Sequence, residues 1–133
     1  MTIAFADTFY FLAILNSKDL AHGKAVEFST SHETTLLTTA WVLTELADAL
    51  ADARHRLAFR KVMAELCADP DTIIVPPSQQ LFEQGVDRYN ARSDKDWSLT
   101  DCISFVVMEQ NDVVEALTGD HHFEQAGFRT LLT

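Results

Sequence analysis

Residues 2–8 read Thr-Ile-Ala-Phe-Ala-Asp-Thr, and residues 34–45 read Thr-Thr-Leu-Leu-Thr-Thr-Ala-Trp-Val-Leu-Thr-Glu. In both, a short β-prone run gives way without a linker to a helical pattern. Thr2–Ala6 and Thr34–Thr39 are the first two predicted strands, and Thr72–Val75, between polar and Pro boundaries, is the third. Val114–Thr118 and Phe128–Leu132 are two further short candidates. Between them apolar residues recur at i, i+3, i+4 and i+7: Leu43, Leu46, Ala47 and Leu50, then Phe59, Val62, Met63 and Leu66. Phe82, Val86 and Tyr89 carry a third stripe after the start signal Pro76-Pro77-Ser78, and Ile103, Val106 and Val107 a fourth. Residues 17–32 also read as helical, with a weaker pattern. Strands alternating with helices predict an α/β fold, a parallel sheet of about five strands covered on both faces.

Composition fits that class. The chain has 133 residues, 47% of them apolar, and its four Gly and three Pro exclude a low-complexity or collagen-like chain. Nine Phe, two Trp and two Tyr supply a core, which argues against disorder. The length predicts one domain over residues 1–133. The longest apolar run, Phe9 to Leu15, is far short of the roughly 20 residues that span a bilayer. No basic residue precedes that run and Asp7 adjoins it, a pattern unlike a signal peptide. Cys67 and Cys102 are therefore expected to be free thiols in the cytoplasm.

Ten Lys and Arg face twenty Asp and Glu, a formal charge of −10, which works against a simple nucleic-acid binder with a broad basic face, although a dense acidic site would shift that average and leave basic patches elsewhere. Two local clusters stand out against it. Arg54, Arg56, Arg60 and Lys61 fall within one short stretch, and Arg88, Arg92 and Lys95 within another. Each contains an i,i+4 Arg pair that shares a helix face. Such clusters are commonly solvated helix surface; together they could also wall a groove that tracks phosphates.

The acids carry the chemistry. Ligands of open parallel sheets bind beyond the carboxyl ends of the strands, where strand order reverses. Asp7 follows the first strand, Glu45 lies a turn into the helix after the second, Asp101 opens the helix of residues 101–110, and Asp120 follows the strand ending at Thr118. Each has a plainer reading. Ser98-Leu99-Thr100-Asp101 is a capping-box pattern, Asp120 suits the N-cap of a short helix through Gln125, and Glu45 shares a helix stripe with Trp41, Asp48 and Asp52, away from the Leu43/Leu46/Leu50 face. Asp7 resists a plain reading, because apolar sequence surrounds it and a buried unpaired carboxylate is costly. Four carboxylates gathered at one sheet edge repel one another, and a hard divalent cation with oxygen ligands is the natural compensation.

At these residues the chain resembles the PIN domain family, and within it the toxin nucleases of VapC type. The pieces, spread over nearly the whole chain, are Ala6-Asp7-Thr8, Thr44-Glu45, Trp97-Ser98-Leu99-Thr100-Asp101-Cys102, and Leu117-Thr118-Gly119-Asp120-His121-His122-Phe123 with Ala126-Gly127-Phe128. The resemblance implies a three-layer α/β/α sandwich with Mg²⁺ or Mn²⁺ at Asp7, Glu45, Asp101 and Asp120. It implies metal-dependent cleavage of RNA, frequent homodimers, and a toxin held by a small antitoxin. Thr8, Ser98 and Thr100 match neighbouring polar positions expected to orient carboxylates or waters. A housekeeping RNA-processing nuclease and a non-catalytic interaction module are the alternatives within the same fold.

Other constellations carry less. His121-His122 beside Cys102 suggests zinc, but adjacent histidines lack the spacing of common zinc sites. His22, His32 and His55 are scattered and read as structural or surface groups. Phe9 to Leu12 read as the start of an apolar helix for core or dimer contact, and Cys102 as a small packed hydrophobe. No glycine-rich phosphate loop is present, which removes P-loop and dinucleotide readings. A response-regulator-like phosphoacceptor would need paired acids after the first strand and a late Lys, yet no Lys follows Lys95.

Overall fold

The computed structural model describes residues 2–31 and 33–133; His32 lies outside them. Five strands, β1 (Thr2–Ala6), β2 (Thr34–Thr39), β3 (Thr72–Val75), β4 (Glu115–Leu117) and β5 (Arg129–Thr130), form a sheet in the order β3-β2-β1-β4-β5. Every pairing is parallel. Among the described residues the helices are α1 (Thr8–Leu15), α2 (His22–Thr30), α3 (Ala40–Ala49), α4 (Arg56–Ala68), α5 (Gln79–Ala91), α6 (Leu99–Gln110) and α7 (His121–Gln125). The chain starts at the centre of the sheet, winds outward to β3, then crosses to the other side of β1. The reversal of strand order therefore falls between β1 and β4, the crevice where such sheets place ligands. None of these helices is long and apolar enough to cross a membrane.

Both sheet faces are covered. Phe5 of β1 meets Phe123 of α7 at 6.2 Å between ring centroids, and Phe105 of α6 meets Trp97, Phe123 and Phe128 edge-on or tilted at 5.0–5.6 Å. On the opposite face Leu36 of β2 lies with Tyr10, Phe28 and Val62 of α1, α2 and α4. Phe5, Phe105 and Phe123 are fully buried, each contributing about 1.5–3 kcal/mol. The aromatic cluster thereby fixes α6 and α7, which carry Asp101 and Asp120, against the strand that carries Asp7.

Helix α6 departs from the amphipathic pattern. Residues 101–108 are all buried, as expected of a helix with apolar residues on every side. Its packing against α5 is close, for a Cβ on Gly85 would stand 2.3 Å from Ile103 Cγ1.

Three boundaries differ from the sequence expectation for local reasons. Residues 17–21 make turns in which the Asn16 and Asp19 carboxamide and carboxylate accept the Lys18 and Ala21 N–H groups, so α2 begins only at His22. Strand β4 starts at Glu115, two residues after Val113, which is spent capping α6. Asp112 takes a left-handed conformation (φ 53°), and the Val113 N–H reaches back to the Met108 carbonyl at 2.9 Å. Gly127 (φ 96°) does the same after α7, the Phe128 N–H bonding the Phe123 carbonyl at 3.0 Å, which leaves Arg129–Thr130 for β5. The Ala126-Gly127-Phe128 motif is thus a helix stop.

Candidate active site

The β1 backbone ends at Asp7, and β4, in register with it through Ala6 and Leu117, delivers Thr118 beside it. The Thr118 hydroxyl donates to Asp7 Oδ2 at 2.9 Å and accepts the Asp120 N–H at 3.0 Å. Both Asp7 (6% exposed) and Thr118 are buried. Burial pushes the Asp7 carboxyl up to about 7; the charges of Asp101 and Glu45 add to the rise, while the Thr118 hydroxyl and Thr8 N–H oppose it.

Asp101 is the third residue of α6, not its first. Its carboxylate accepts the Ser98 N–H at 3.2 Å, the Ser98 hydroxyl accepts the Asp101 N–H at 3.0 Å, and the reciprocal pair closes a capping box. The capping and site readings of Asp101 are therefore compatible, because one carboxylate oxygen serves the cap. Burial also raises the Asp101 carboxyl, helped by Asp120 and opposed by the Ser98 N–H and His122. His122 Nδ1 lies 3.2 Å from Asp101 Oδ2 and 3.4 Å from Asp120 Oδ1, so one imidazole spans both acids. Asp120 is the N-cap of α7, accepting the His122 N–H at 2.9 Å.

Glu45 completes the group from α3. Although it lies on the polar stripe of its helix, its Oε1 accepts the Thr8 hydroxyl at 2.5 Å, which turns it toward the end of β1. The structure thus brings Asp7, Glu45, Asp101 and Asp120 into one hydrogen-bonded and electrostatically coupled group. Thr8 and Ser98 touch two of these acids, whereas the Thr100 hydroxyl bonds to none. Among the described residues no Lys or Arg pairs with any of the four: Arg54, Arg88, Arg92 and Arg129 pair with Asp52, Glu109, Asp94 and Glu115. The donors to the site are hydroxyls, amides and an imidazole. Four carboxylates without a protein cation match the oxygen chemistry of Mg²⁺ and Mn²⁺.

The two basic clusters are placed differently. Arg92 lies over the Trp97 ring, 5.1 Å from its centroid, and Arg92, Lys95, Trp97 and Ser98 line one hollow that leads to the α6 cap. Arg88 lies on α5 and is held by Glu109 of α6 through two hydrogen bonds. Arg54 and Arg56 bond to Asp52 and the Ala51 carbonyl in the α3–α4 turn, with Arg60 and Lys61 beyond them on α4. None of this second group touches an acid of the site.

Thr118 and His122 are the site residues that acid-counting overlooks. Thr118 had a signal, standing alone between Leu117 and the Gly119-Asp120 turn. Gly119 lets Phe9 approach the same turn, since a Cβ there would meet the ring at 2.6 Å. Cys102 is buried and its thiol is pushed up by burial and by Asp101, in keeping with a packing role.

Comparison with known proteins places this geometry. The PIN domain family model matches residues 4–129. The curated proteins contain no match to the chain. Among solved structures, Mycobacterium tuberculosis VapC20, described as a sarcin-ricin loop cleaving toxin, is similar with a TM-score of 0.83 and 25% identity over 95% of each chain. VapBC2 from Rickettsia felis, bound to a DNA fragment from its promoter, is similar with a TM-score of 0.67 and 10% identity over 98% of this chain and 97% of that one. FitAcB from Neisseria gonorrhoeae follows with a TM-score of 0.64 and 16% identity over 98% and 96%. The last two share the fold.

Proposed function

This chain belongs to the PIN domain family, and on that premise we propose that it is a divalent-metal-dependent ribonuclease acting as the toxin of a toxin–antitoxin pair. The observation that carries the reading is the group of four acids to which, among the described residues, no Lys or Arg is paired. Asp7, Asp101 and Asp120 are the proposed metal ligands, direct or through water, with Glu45 a further ligand or base. A divalent ion held there lowers the pKa of its water and neutralises phosphate charge.

The chain's own residues do the rest. Thr118 and Thr8 fix the rotamers of Asp7 and Glu45 with single hydroxyl donors, so these oxygens keep their remaining lone pairs for a cation. Ser98 and the start of α6 hold Asp101, whose charge the helix dipole favours. The fixed order at the site means little reorganisation when charge develops on the phosphate. Arg92 and Lys95 at the approach to the α6 cap, Arg88 on α5 beside Glu109, and Arg54, Arg56, Arg60 and Lys61 further out, are the proposed contacts for the RNA backbone. A phosphodiester nearing four carboxylates needs such flanking cations when the net charge is −10.

Family membership further supports a homodimer and a small antitoxin whose cationic side chain enters the acid group. An Arg suits that role, since its guanidinium pairs bidentately with carboxylates and stays charged. The 25% identity to a sarcin-ricin loop cleaving toxin makes ribosomal RNA the first substrate to try.

The test is cleavage of ribosomal and transfer RNA by purified protein with Mn²⁺, Mg²⁺ or chelator. Cleavage with either metal, lost in chelator and in Asp7→Asn, is expected. Full activity in chelator would sink the reading.

A further inference from the structure

Asp120, His121 and His122 bring donors of a second kind to the edge of the acid group. His122 Nδ1 stands 3.4 Å and His121 Nδ1 3.7 Å from the same oxygen, Asp120 Oδ1. The two imidazole rings lie 4.5 Å apart, and one ligand atom of each of the three residues falls within 4.8 Å of the others. A four-coordinate ion bonded at about 2.0–2.1 Å holds neighbouring donors about 3.3–3.5 Å apart. The Asp120–His122 edge already has that length, and the Asp120–His121 edge exceeds it by a few tenths of an ångström.

Hydrogen bonding explains only half of this arrangement. His122 is partly buried and spans Asp101 and Asp120, so it has a structural reason to point inward. The His121 side chain is 71% exposed, and 3.7 Å exceeds hydrogen-bond length, yet its Nδ1 converges on the same oxygen. Freely exposed, this side chain can close the remaining gap by a small rotamer change.

We propose that Asp120, His121 and His122 form a binding site for a transition-metal ion of the Zn²⁺ class, with further coordination positions open to solvent. Adjacent histidines lack the sequence spacing of common zinc sites, but the turn after Gly119 supplies the convergence that spacing does not. Cys102, the sequence neighbour that made zinc worth considering, is buried and takes no part. Two imidazoles favour Zn²⁺ or Co²⁺ over Mg²⁺, which prefers oxygen and retains its waters. The site differs in chemistry from the all-carboxylate group but shares Asp120 with it. Its consequence rests on the ribonuclease reading: an ion on Asp120, His121 and His122 withdraws one carboxylate from the proposed cleavage centre and slows it.

The experiment is calorimetric titration of tag-free, chelator-treated protein with Zn²⁺ and separately with Mn²⁺. A Cys67→Ser background is used, since Cys67 is an exposed thiol that would bind zinc by itself. One Zn²⁺ per chain is expected, weakened at least about tenfold by His121→Ala or His122→Ala. His121→Ala should leave Mn²⁺ affinity within about twofold, and Asp7→Asn should weaken Mn²⁺ but not Zn²⁺. With Co²⁺ as probe, paramagnetically shifted imidazole N–H resonances report the nitrogen ligands directly, and they should vanish in the histidine variants. His121→Gln, at an exposed position, repeats the test without risk to the fold. Zn²⁺ affinity unchanged by both histidine substitutions overturns the proposal, as does loss of Zn²⁺ and Mn²⁺ together in Asp7→Asn. Histidine-dependent Zn²⁺ binding with no Mn²⁺ binding at all would uphold this site while overturning the metal-nuclease reading.

Discussion

Thr118 ties Asp7 to the turn that carries Asp120: one hydroxyl donates to Asp7 Oδ2 at 2.9 Å and accepts the Asp120 N–H at 3.0 Å. Valine has nearly the same shape without the donor or acceptor. Thr118→Val should therefore destabilise the metal-free protein by about 1–3 kcal/mol at pH 8, where it strands a buried carboxylate and an amide. Mn²⁺ affinity should fall as well, because both ligand positions loosen. Thr118→Ser keeps the hydroxyl and should retain most of both. Urea denaturation with and without Mn²⁺ measures each, and equal stability of the Val variant and wild type would show the bond to be idle.

Asp7 contributes a pH dependence to the stability of the metal-free protein. Its carboxyl is raised from an ordinary 3.8 to about 7, so the folded state binds this proton more tightly than the unfolded chain does. The stabilising linkage is fully present below the unfolded value and is lost as pH rises through about 7. In chelator the protein should melt at a higher temperature at pH 5 than at pH 8, the contribution being a few kcal/mol. Asp7→Asn, neutral at both pH values, should reduce that difference, leaving the part that the raised Asp101 carboxyl contributes, and be as stable as wild type or more so at pH 8. A melting temperature that rises from pH 5 to pH 8 in wild type but not in Asp7→Asn would contradict the burial argument.

Gly119 is held to a bare backbone by Phe9, whose ring would stand 2.6 Å from a new Cβ. Gly119→Ala should cost about 1–3 kcal/mol and shift Thr118 and Asp120 together. Its diagnostic partner is Phe9→Leu, which opens space beside that Cβ. In a double-mutant cycle the second change should recover part of the stability and Mn²⁺ affinity removed by the first. Strict additivity would mean that the ring, not the turn, gives way.

What could be read in the sequence and what could not divides along the range of the interaction. The β-branched runs and the i, i+3, i+4 stripes are local, and β1, β2 and β3 fall where they predict. Strand β5 loses Phe128 from its β-prone run because the left-handed Gly127 draws that residue into the α7 cap, and β4 follows directly on Val113, which the left-handed Asp112 folds back onto α6. An Asp at that position gives no turn signal as strong as Gly. The acids were legible as residues following strands or opening helices, since strand ends share one edge of a parallel sheet. The polar stripe of α3 could not show that Glu45 meets Thr8, a pairing across 37 positions of the chain. Nor could sequence show that His122 lies between Asp101 and Asp120, which depends on how the aromatic cluster docks α7 against α6.

The cationic clusters should contribute unequally to RNA binding. Arg92 and Lys95 line the hollow that reaches Ser98 and the α6 cap, while Arg54 and Arg56 are bonded within their own turn. Arg92→Gln and Lys95→Gln should weaken RNA affinity and reduce its salt dependence, by a slope of roughly 0.7 for each single-strand phosphate that is no longer neutralised. Neutralising Arg60 and Lys61 should have a smaller effect in the same direction. Mn²⁺ affinity should not change in either set. RNA titrations over a range of salt concentrations decide this, and unchanged slopes in all variants would make both clusters ordinary solvated helix surface.

The proposed toxin role predicts a growth phenotype that the chemistry alone does not. A nuclease whose acid group has no Lys or Arg of its own paired to it among the described residues needs an external restraint. An antitoxin that inserts an Arg among Asp7, Glu45, Asp101 and Asp120 would neutralise the group and block a metal at once. Induced expression in a bacterial host without that partner should therefore arrest growth. Asp7→Asn, which should retain the fold while removing the central carboxylate, should abolish the arrest, and co-expression of the small partner should relieve it in the native chain. Asp101→Asn should behave like Asp7→Asn, because the amide oxygen can still accept the Ser98 N–H and preserve the α6 cap. Unimpeded growth with soluble protein that binds Mn²⁺ and cleaves RNA in vitro would point instead to an RNA-processing nuclease of the same fold.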